Sequence, residues 1–186
     1  MPRPYIRLIC AGLILLAAGC ASPKFKPSAY KAAQDRFGAI ALPAGAPVCV
    51  CPVIDKLSPE ARKGLAADFT PWVFVTEALE AELKAAGAST RRPAFSFGPD
   101  FRELQKAIRE NARPEDRAVY LGTELWVLSP TLWILDAQIL SPRGELLFAK
   151  RALCSVWGYL KVDEQQLVHM TLRQILADPR FKAALQ

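Results

Sequence analysis

Residues 131–151 read TLWILDAQILSPRGELLFAKR, and this stretch decides the fold class. Two strand-length apolar runs, rich in β-branched and aromatic side chains, lie on either side of the segment SPRG at 141–144. Proline at the second and glycine at the fourth position are the residues that a type I turn favours. The stretch therefore predicts an antiparallel hairpin whose strands cover 132–140 and 145–157.

Apolar periodicity places further strands and helices on both sides of this hairpin. Strands are predicted over 48–54 (VCVCPVI), 89–97 and 117–128. Helices are predicted from Thr70-Pro71 to Gly87, from Asp100 to about Ala112, and from Asp163 to about Ala177. The order β-α-β-α-β-β-β-α predicts an α+β domain: a single mostly antiparallel sheet with helices packed on one face.

Composition is that of one globular domain. The chain has 186 residues, of which 52% are hydrophobic and 23% charged, and its formal net charge is +6. No block of five like charges occurs, so the sequence offers no footprint for nucleic acid, and none is expected as a partner.

The first residues, MPRPYIRLICAGLILLAAGC, have the three parts of a secretory signal peptide. Arg3 and Arg7 form a positive region, the run Leu8–Leu16 is apolar, and small residues follow it. A bilayer-spanning helix needs about 20 apolar residues, which is more than this run supplies. The segment therefore predicts a cleaved leader and not a transmembrane anchor.

The end of this leader, LLAAGC, resembles the lipobox of bacterial lipoproteins, although Ala17 stands where leucine is most frequent. The resemblance implies that a dedicated peptidase cuts before Cys20, which then carries a diacylglycerol and usually an N-acyl chain. Two or three acyl chains hold a protein firmly on a membrane. Ala21, which is not the aspartate that retains such proteins at the inner membrane, implies the periplasmic face of the outer membrane.

The chain is accordingly expected to have three parts. They are a lipoprotein signal peptide over 1–19, the lipidated cysteine and a flexible tether over 20–46, and a periplasmic α/β domain over 47–186. The tether is rich in Pro, Ala and Ser, which is typical of a linker that lets a domain stand off a bilayer.

The hairpin carries a second resemblance. A strand with Asp136, a turn with Gly144 and a second strand look like the "variable-aspartate-glycine" hairpin of small periplasmic α/β lipoproteins of the curli-export and penicillin-binding-protein-activator type. This likeness rests on the layout of the elements and implies a similar small domain.

Three cysteines remain after the leader and the lipidated residue: Cys49, Cys51 and Cys154. The periplasm oxidises thiols, so Cys154 could form one disulfide with Cys49 or Cys51. Alternatively all three are small buried hydrophobic residues. A third interpretation is a C-x-C metal site, with copper as the best match to soft thiolates. Cys49 and Cys51 share one face of their strand and are badly placed to bond each other.

The remaining polar candidates do not form a catalytic group. His169, the only histidine, is expected to be structural or exposed, because one histidine cannot supply a multi-histidine metal site. Asp136 and Glu124 could be paired carboxylates, but they are expected to be exposed residues on the open, polar side of the sheet. Trp126 and Trp133 flank a turn, so one of them could be exposed. No catalytic residue, metal or cofactor is predicted.

These observations lead to one expected function and one alternative. The expected function is a non-enzymatic, lipid-anchored protein of the cell envelope that acts as an interaction or assembly module at the outer membrane, with an unidentified envelope protein as partner. The alternative is an auxiliary lipoprotein of an envelope transporter, which binds a small or lipidic ligand in an apolar pocket.

Overall fold

A mixed six-stranded sheet forms the centre of the protein. The computed structural model describes residues 38–43, 47–63, 70–113, 117–129, 132–155 and 164–186. Its strands are β1 (Val48–Val50), β2 (Ile54–Asp55), β3 (Thr90–Arg91), β4 (Val119–Ser129), β5 (Leu132–Leu140) and β6 (Leu146–Ser155). Its helices are α1 (Pro59–Lys63), α2 (Pro71–Ala85), α3 (Phe101–Asn111), α4 (Glu164–Leu176) and α5 (Pro179–Ala183).

The strand order is β3-β1-β4-β5-β6, and β2 also pairs with β4. The long strands β4, β5 and β6 are antiparallel, whereas β1 runs parallel to both β3 and β4. Helices between the early strands supply the crossovers that parallel pairing requires. The predicted α+β class with a mostly antiparallel sheet is confirmed.

The predicted antiparallel pairing of the hairpin is confirmed, and residues 156–157 of the predicted second strand lie outside the described residues. Leu132 lies opposite Ser155 and Leu140 lies opposite Leu146. In the turn, the Gly144 N–H donates to the Ser141 carbonyl at 2.8 Å. Gly144 has a φ of 73°, which is a conformation that residues with a Cβ rarely adopt.

Helices cover both faces of the sheet, which differs from the expectation of a single covered face. The larger apolar core lies between one face and α2, α4 and α5. On the other face, α3 packs Leu104 and Ile108 against Cys49, Cys51 and Tyr120. At this end of the sheet the strands are apolar on both sides, so both sides need a cover. The remaining part of the second face, towards the C-terminal end of β4, is the open face.

The folded domain includes residues 38–43, which the sequence analysis assigned to the tether. Ile40 and Leu42 are buried in the larger core, while Ala41 between them is exposed. The Leu42 N–H donates to the Ala86 carbonyl at 2.9 Å, just after α2. The predicted boundary at residue 47 is therefore too late, because this short alternation of apolar residues belongs to the core.

Within the described residues, no helix is both long enough and apolar enough to cross a membrane.

Candidate functional site

An apolar row crosses the open face of the sheet. The register places Trp126 opposite Ile134 and Ile134 opposite Leu153, so these side chains lie side by side on β4, β5 and β6. Leu128 follows Trp126 by two residues and lies in a β-bulge between Val127 and Ser129, at the end of β4 beside this row. Leu128 is 58% exposed and Leu153 60% exposed. These four residues, Trp126, Leu128, Ile134 and Leu153, form the apolar patch.

A charged row borders the apolar patch. Glu124 lies opposite Asp136, and Asp136 lies opposite Arg151. Two carboxylates that face each other across a strand pair repel, so each needs a cation. Arg151 donates to both oxygens of Asp136 at 2.7 Å, and this hydrogen bonding raises the pKa of the Arg151 guanidinium. Lys56 Nζ lies 3.7 Å from Glu124 Oε1.

In the pair of Arg151 and Asp136, the arginine side chain is more exposed to solvent than the aspartate. The Arg151 side chain is 68% exposed, whereas that of Asp136 is 15% exposed. Glu124 is buried, and its Oε1 accepts the Phe101 N–H at 3.1 Å. A cavity of about 290 Å³ lies over this row; its lining includes Phe101, Glu124, Asp136, Gln138 and Arg151. Asp136 and Glu124 lie on the predicted face of the sheet, but neither is exposed as expected, because Glu124 is buried and Asp136 is half-buried beside Arg151.

The two tryptophans next to the β4–β5 turn lie on opposite faces. Trp133 is buried in the larger core. Trp126 is half-buried on the open face, where Lys56 Nζ lies 5.9 Å from its ring centroid. The prediction that one of the pair could be exposed is therefore not met: Trp133 is buried and Trp126 is half-buried.

A groove of about 520 Å³ lies beside β2, between the segment 52–55 and the segment 95–99. Its walls are mostly apolar and include Pro52, Val53, Phe95 and Phe97. The Phe95 ring lies 5.9 Å from the Tyr120 ring, which fixes this wall against the sheet. The groove was not predicted, because the sequence indicated a strand over 89–97, whereas β3 covers only Thr90–Arg91 and the segment 95–99 lies outside the sheet.

A buried ionic cluster joins α2 to α4. His169 Nδ1 lies 2.8 Å from Glu82 Oε1, and Arg173 Nε donates to Glu82 Oε2 at 2.8 Å. Arg173 Nη1 also donates to the Gly38 carbonyl at 2.7 Å, so the cluster holds the segment 38–43 as well. All three side chains are buried. His169 thus has a structural role, as expected, whereas its partner Glu82 was not predicted from the sequence.

The geometry favours the alternative in which Cys49 and Cys51 are small buried hydrophobic residues. Strands β4 and β5 separate β1 from β6, so the Cα atoms of Cys49 and Cys154 are at least about 14 Å apart. A disulfide requires Cα atoms within about 7 Å, so bonding of Cys154 to Cys49 or Cys51 does not fit this fold. Cys49 and Cys51 are buried. Desolvation by burial, and repulsion from the negative charge of a Cys49 thiolate, raise the pKa of the Cys51 thiol.

Within the described parts of the chain, no three His, Cys, Asp or Glu side chains gather to form a metal site. Cys20 lies outside the described residues. The chemistry on the open face is that of contact and charge pairing: an exposed apolar patch, an outward guanidinium and a neighbouring cavity. No protein-family model matches the chain, and no curated protein sequence matches it.

Proposed function

We propose that this protein is a lipid-anchored, non-enzymatic interaction module of the bacterial envelope, attached through Cys20 to the periplasmic face of the outer membrane. Its partner is an envelope protein, which binds the apolar patch. The single observation that carries this proposal is the apolar patch, in which Leu128 and Leu153 are exposed and Trp126 and Ile134 half-buried, on a sheet face whose other end α3 covers.

The composition of the patch supports an interaction surface. Aromatic residues and arginine are enriched in protein interfaces, and a polar rim commonly surrounds an apolar centre. Here Trp126 and Ile134 lie at the centre, and Arg151 and Lys56 lie at the rim. Single exposed leucines need no explanation, but a contiguous group that spans three strands does.

The anchoring part of the proposal is tested at Cys20. In cells labelled with radioactive palmitate, the natural chain should take up label and fractionate with membranes, because acyl chains hold it there. Cys20→Ala should take up no label and remain as an uncut precursor or a released domain. Membrane-bound Cys20→Ala protein of mature size would rule out lipidation at this residue.

The interaction part is tested with a matched pair of leucines in β6. Leu153 belongs to the patch, whereas Leu146 is 55% exposed at the opposite end of the same strand. After crosslinking in intact cells, Leu153→Ser should remove a specific crosslinked product that persists in Leu146→Ser. If both variants crosslink as the natural chain does, the patch is not the partner-binding surface.

The groove beside β2 favours a second candidate, the auxiliary lipoprotein that binds a small or lipidic ligand. Its volume of about 520 Å³ is within the range of small-molecule sites, and its walls are largely apolar. Native mass spectrometry of the purified mature protein should then detect a bound lipid that Phe97→Asp displaces. A protein that purifies without bound mass and binds no added phospholipid argues against this candidate.

A further inference from the structure

We propose that the apolar patch and Arg151 bind an acidic amphipathic segment of the partner protein. Apolar side chains of that segment would cover the patch, and one of its carboxylates would accept hydrogen bonds from the Arg151 guanidinium. The inference rests on the proposed function, since it specifies the chemistry of the partner at the same surface.

The sign of the charge at the rim selects an acidic partner. Asp136 already accepts from Arg151 through both of its oxygens, and Glu124 is buried and paired with the Phe101 N–H and with Lys56. The carboxylates therefore lie beneath their cations. What an approaching partner meets beside Leu153 is the guanidinium of Arg151, whose side chain is the most exposed member of the row.

Arg151 can also serve a second carboxylate without leaving the first. A guanidinium has five N–H donors in a fixed fork, and those on Nε and Nη2 point at Asp136. The N–H groups of Nη1 remain for an incoming carboxylate, and Asp136 holds the fork in place. An ammonium group on a flexible stem would not be oriented in this way.

The size of the patch favours a segment over a second folded copy of this chain. Three neighbouring strands span about 10 Å, and two rows along them add about 7 Å. A stable dimer needs about 800 Å² on each partner, which is far more than such a patch offers. One turn or two of an amphipathic helix, or a short extended segment, matches these dimensions.

The experiment measures binding of fluorescent synthetic peptides to the mature full chain with Cys20→Ser, which removes the lipid without touching the domain. Three peptides share leucines at helical spacing and differ only in their polar residues, which are glutamate, lysine or serine. By fluorescence anisotropy, the glutamate peptide should bind at least about tenfold more tightly than the lysine peptide, and added salt should reduce this preference.

Variants connect the preference to the named residues. Arg151→Glu should abolish the preference for the glutamate peptide, and Arg151→Lys should reduce it, because a lysine lacks the fork. Leu153→Ser should weaken binding of all three peptides by about tenfold, whereas Leu146→Ser should leave it unchanged. Circular dichroism spectra of each variant show whether the fold is kept.

The outcomes separate this inference from the proposed function. Equal binding of the acidic and basic peptides, or no effect of Arg151→Glu, overturns the inference that the partner is acidic. If Leu153→Ser still weakens binding, the patch remains the proposed binding surface. No effect of Leu153→Ser overturns both. Concentration-dependent dimerisation that Leu153→Ser removes would assign the patch to a second copy. Binding to phospholipid vesicles that Leu153→Ser removes would assign it to the membrane.

Discussion

The buried carboxylate of Glu82 links two helices and thereby stabilises the domain. Its carboxylate accepts from Arg173 and contacts His169, both on α4, while Glu82 itself lies on α2. A buried charge is costly unless it is paired, and removal of one partner from a buried ion pair is strongly destabilising. The cluster is therefore a point where one substitution disturbs α2, α4 and the segment 38–43 together.

Replacement of Glu82 measures this effect. Glu82→Gln should lower the free energy of unfolding by about 3 kcal/mol, because Arg173 loses its counter-charge inside the core. Glu80→Gln is the matched control on the same helix, where the glutamate pairs with an exposed Arg92 and the loss should stay below about 1 kcal/mol. Urea unfolding gives both values, and equal losses would contradict a special role for Glu82.

The thiols of β1 provide a second residue-scale prediction. Cys49 and Cys51 are buried beneath α3, and desolvation raises the pKa of Cys51, so thiolate is scarce there at neutral pH. A thiol reagent should react with neither cysteine in the native protein within minutes and with both after denaturation. Rapid native labelling of the two would show that α3 does not cover β1 in solution.

At the scale of elements, α3 depends on a close approach to β4. A Cβ built on Gly122 would lie 2.5 Å from Leu104 Cδ2, and Leu104 is fully buried. Gly122→Ala should therefore lower the free energy of unfolding by about 1–3 kcal/mol through overpacking. Ala149→Val, at the exposed end of the same cross-strand row, should change it by less than about 0.5 kcal/mol. Thermal melts of both variants test the difference.

The short helix α5 adds a pH dependence. Hydrogen bonds from Lys150 and from the Arg180 N–H lower the pKa of Asp178 to about 2. A carboxyl group whose pKa is lower in the folded than in the unfolded chain stabilises the fold at pH values above its unfolded pKa. This contribution disappears as the pH falls towards 2. Asp178→Asn should thus be less stable than the natural chain at pH 5, and the gap should close near pH 2. A gap that stays constant between these pH values would contradict the role of Asp178.

Local signals were enough to predict most elements. The hairpin over β5 and β6 followed from its turn. Helix α3 begins after Asp100, whose side chain accepts from two backbone N–H groups, and α4 lies within the range that its capping residues and the stop at Asp178-Pro179 predicted. Thr70 precedes α2 but makes no side-chain capping hydrogen bond. The face that α3 covers was not predicted, because it depends on which neighbours the strands acquire in the sheet.

The candidate site was predicted only in part for the same reason. Asp136 and Glu124 were expected on the polar side of the sheet, and either Trp126 or Trp133 was expected to be exposed beside a turn. Their alignment into rows with Arg151 and Leu153 depends on the register of three strands, which no single segment specifies. Glu82 and Arg173 meet only when two helices far apart in the chain pack together, so their pairing has no local signal.

The whole molecule extends further towards the N-terminus than the predicted domain. Ile40 and Leu42 enter the core, and Arg173 holds the Gly38 carbonyl. The free energy of unfolding should therefore be about 2 kcal/mol lower for a protein that begins at residue 47 than for one that begins at residue 38. The shorter protein lacks two buried apolar side chains. Equal denaturation midpoints would show that the segment 38–43 contributes nothing to the core.

The parallel pairing of β1 with β4 has a consequence for the order of folding. Strands β4, β5 and β6 pair with their neighbours in the chain, whereas Val48 must meet Val119 across the intervening helices. Closing a long loop costs more entropy than closing a short turn, so we expect folding to begin with the three-stranded meander of β4, β5 and β6.

Although β1 is synthesised first, it can pair only after β4 has formed, so we expect the N-terminal strand to join the sheet last. Substitutions in β5 should accordingly slow refolding, while substitutions in β1 should chiefly speed unfolding in stopped-flow experiments. Until β1 arrives, one edge of β4 is unpaired and open to association with other chains. A newly made chain is thus most vulnerable in the interval between completion of the meander and insertion of its first strand.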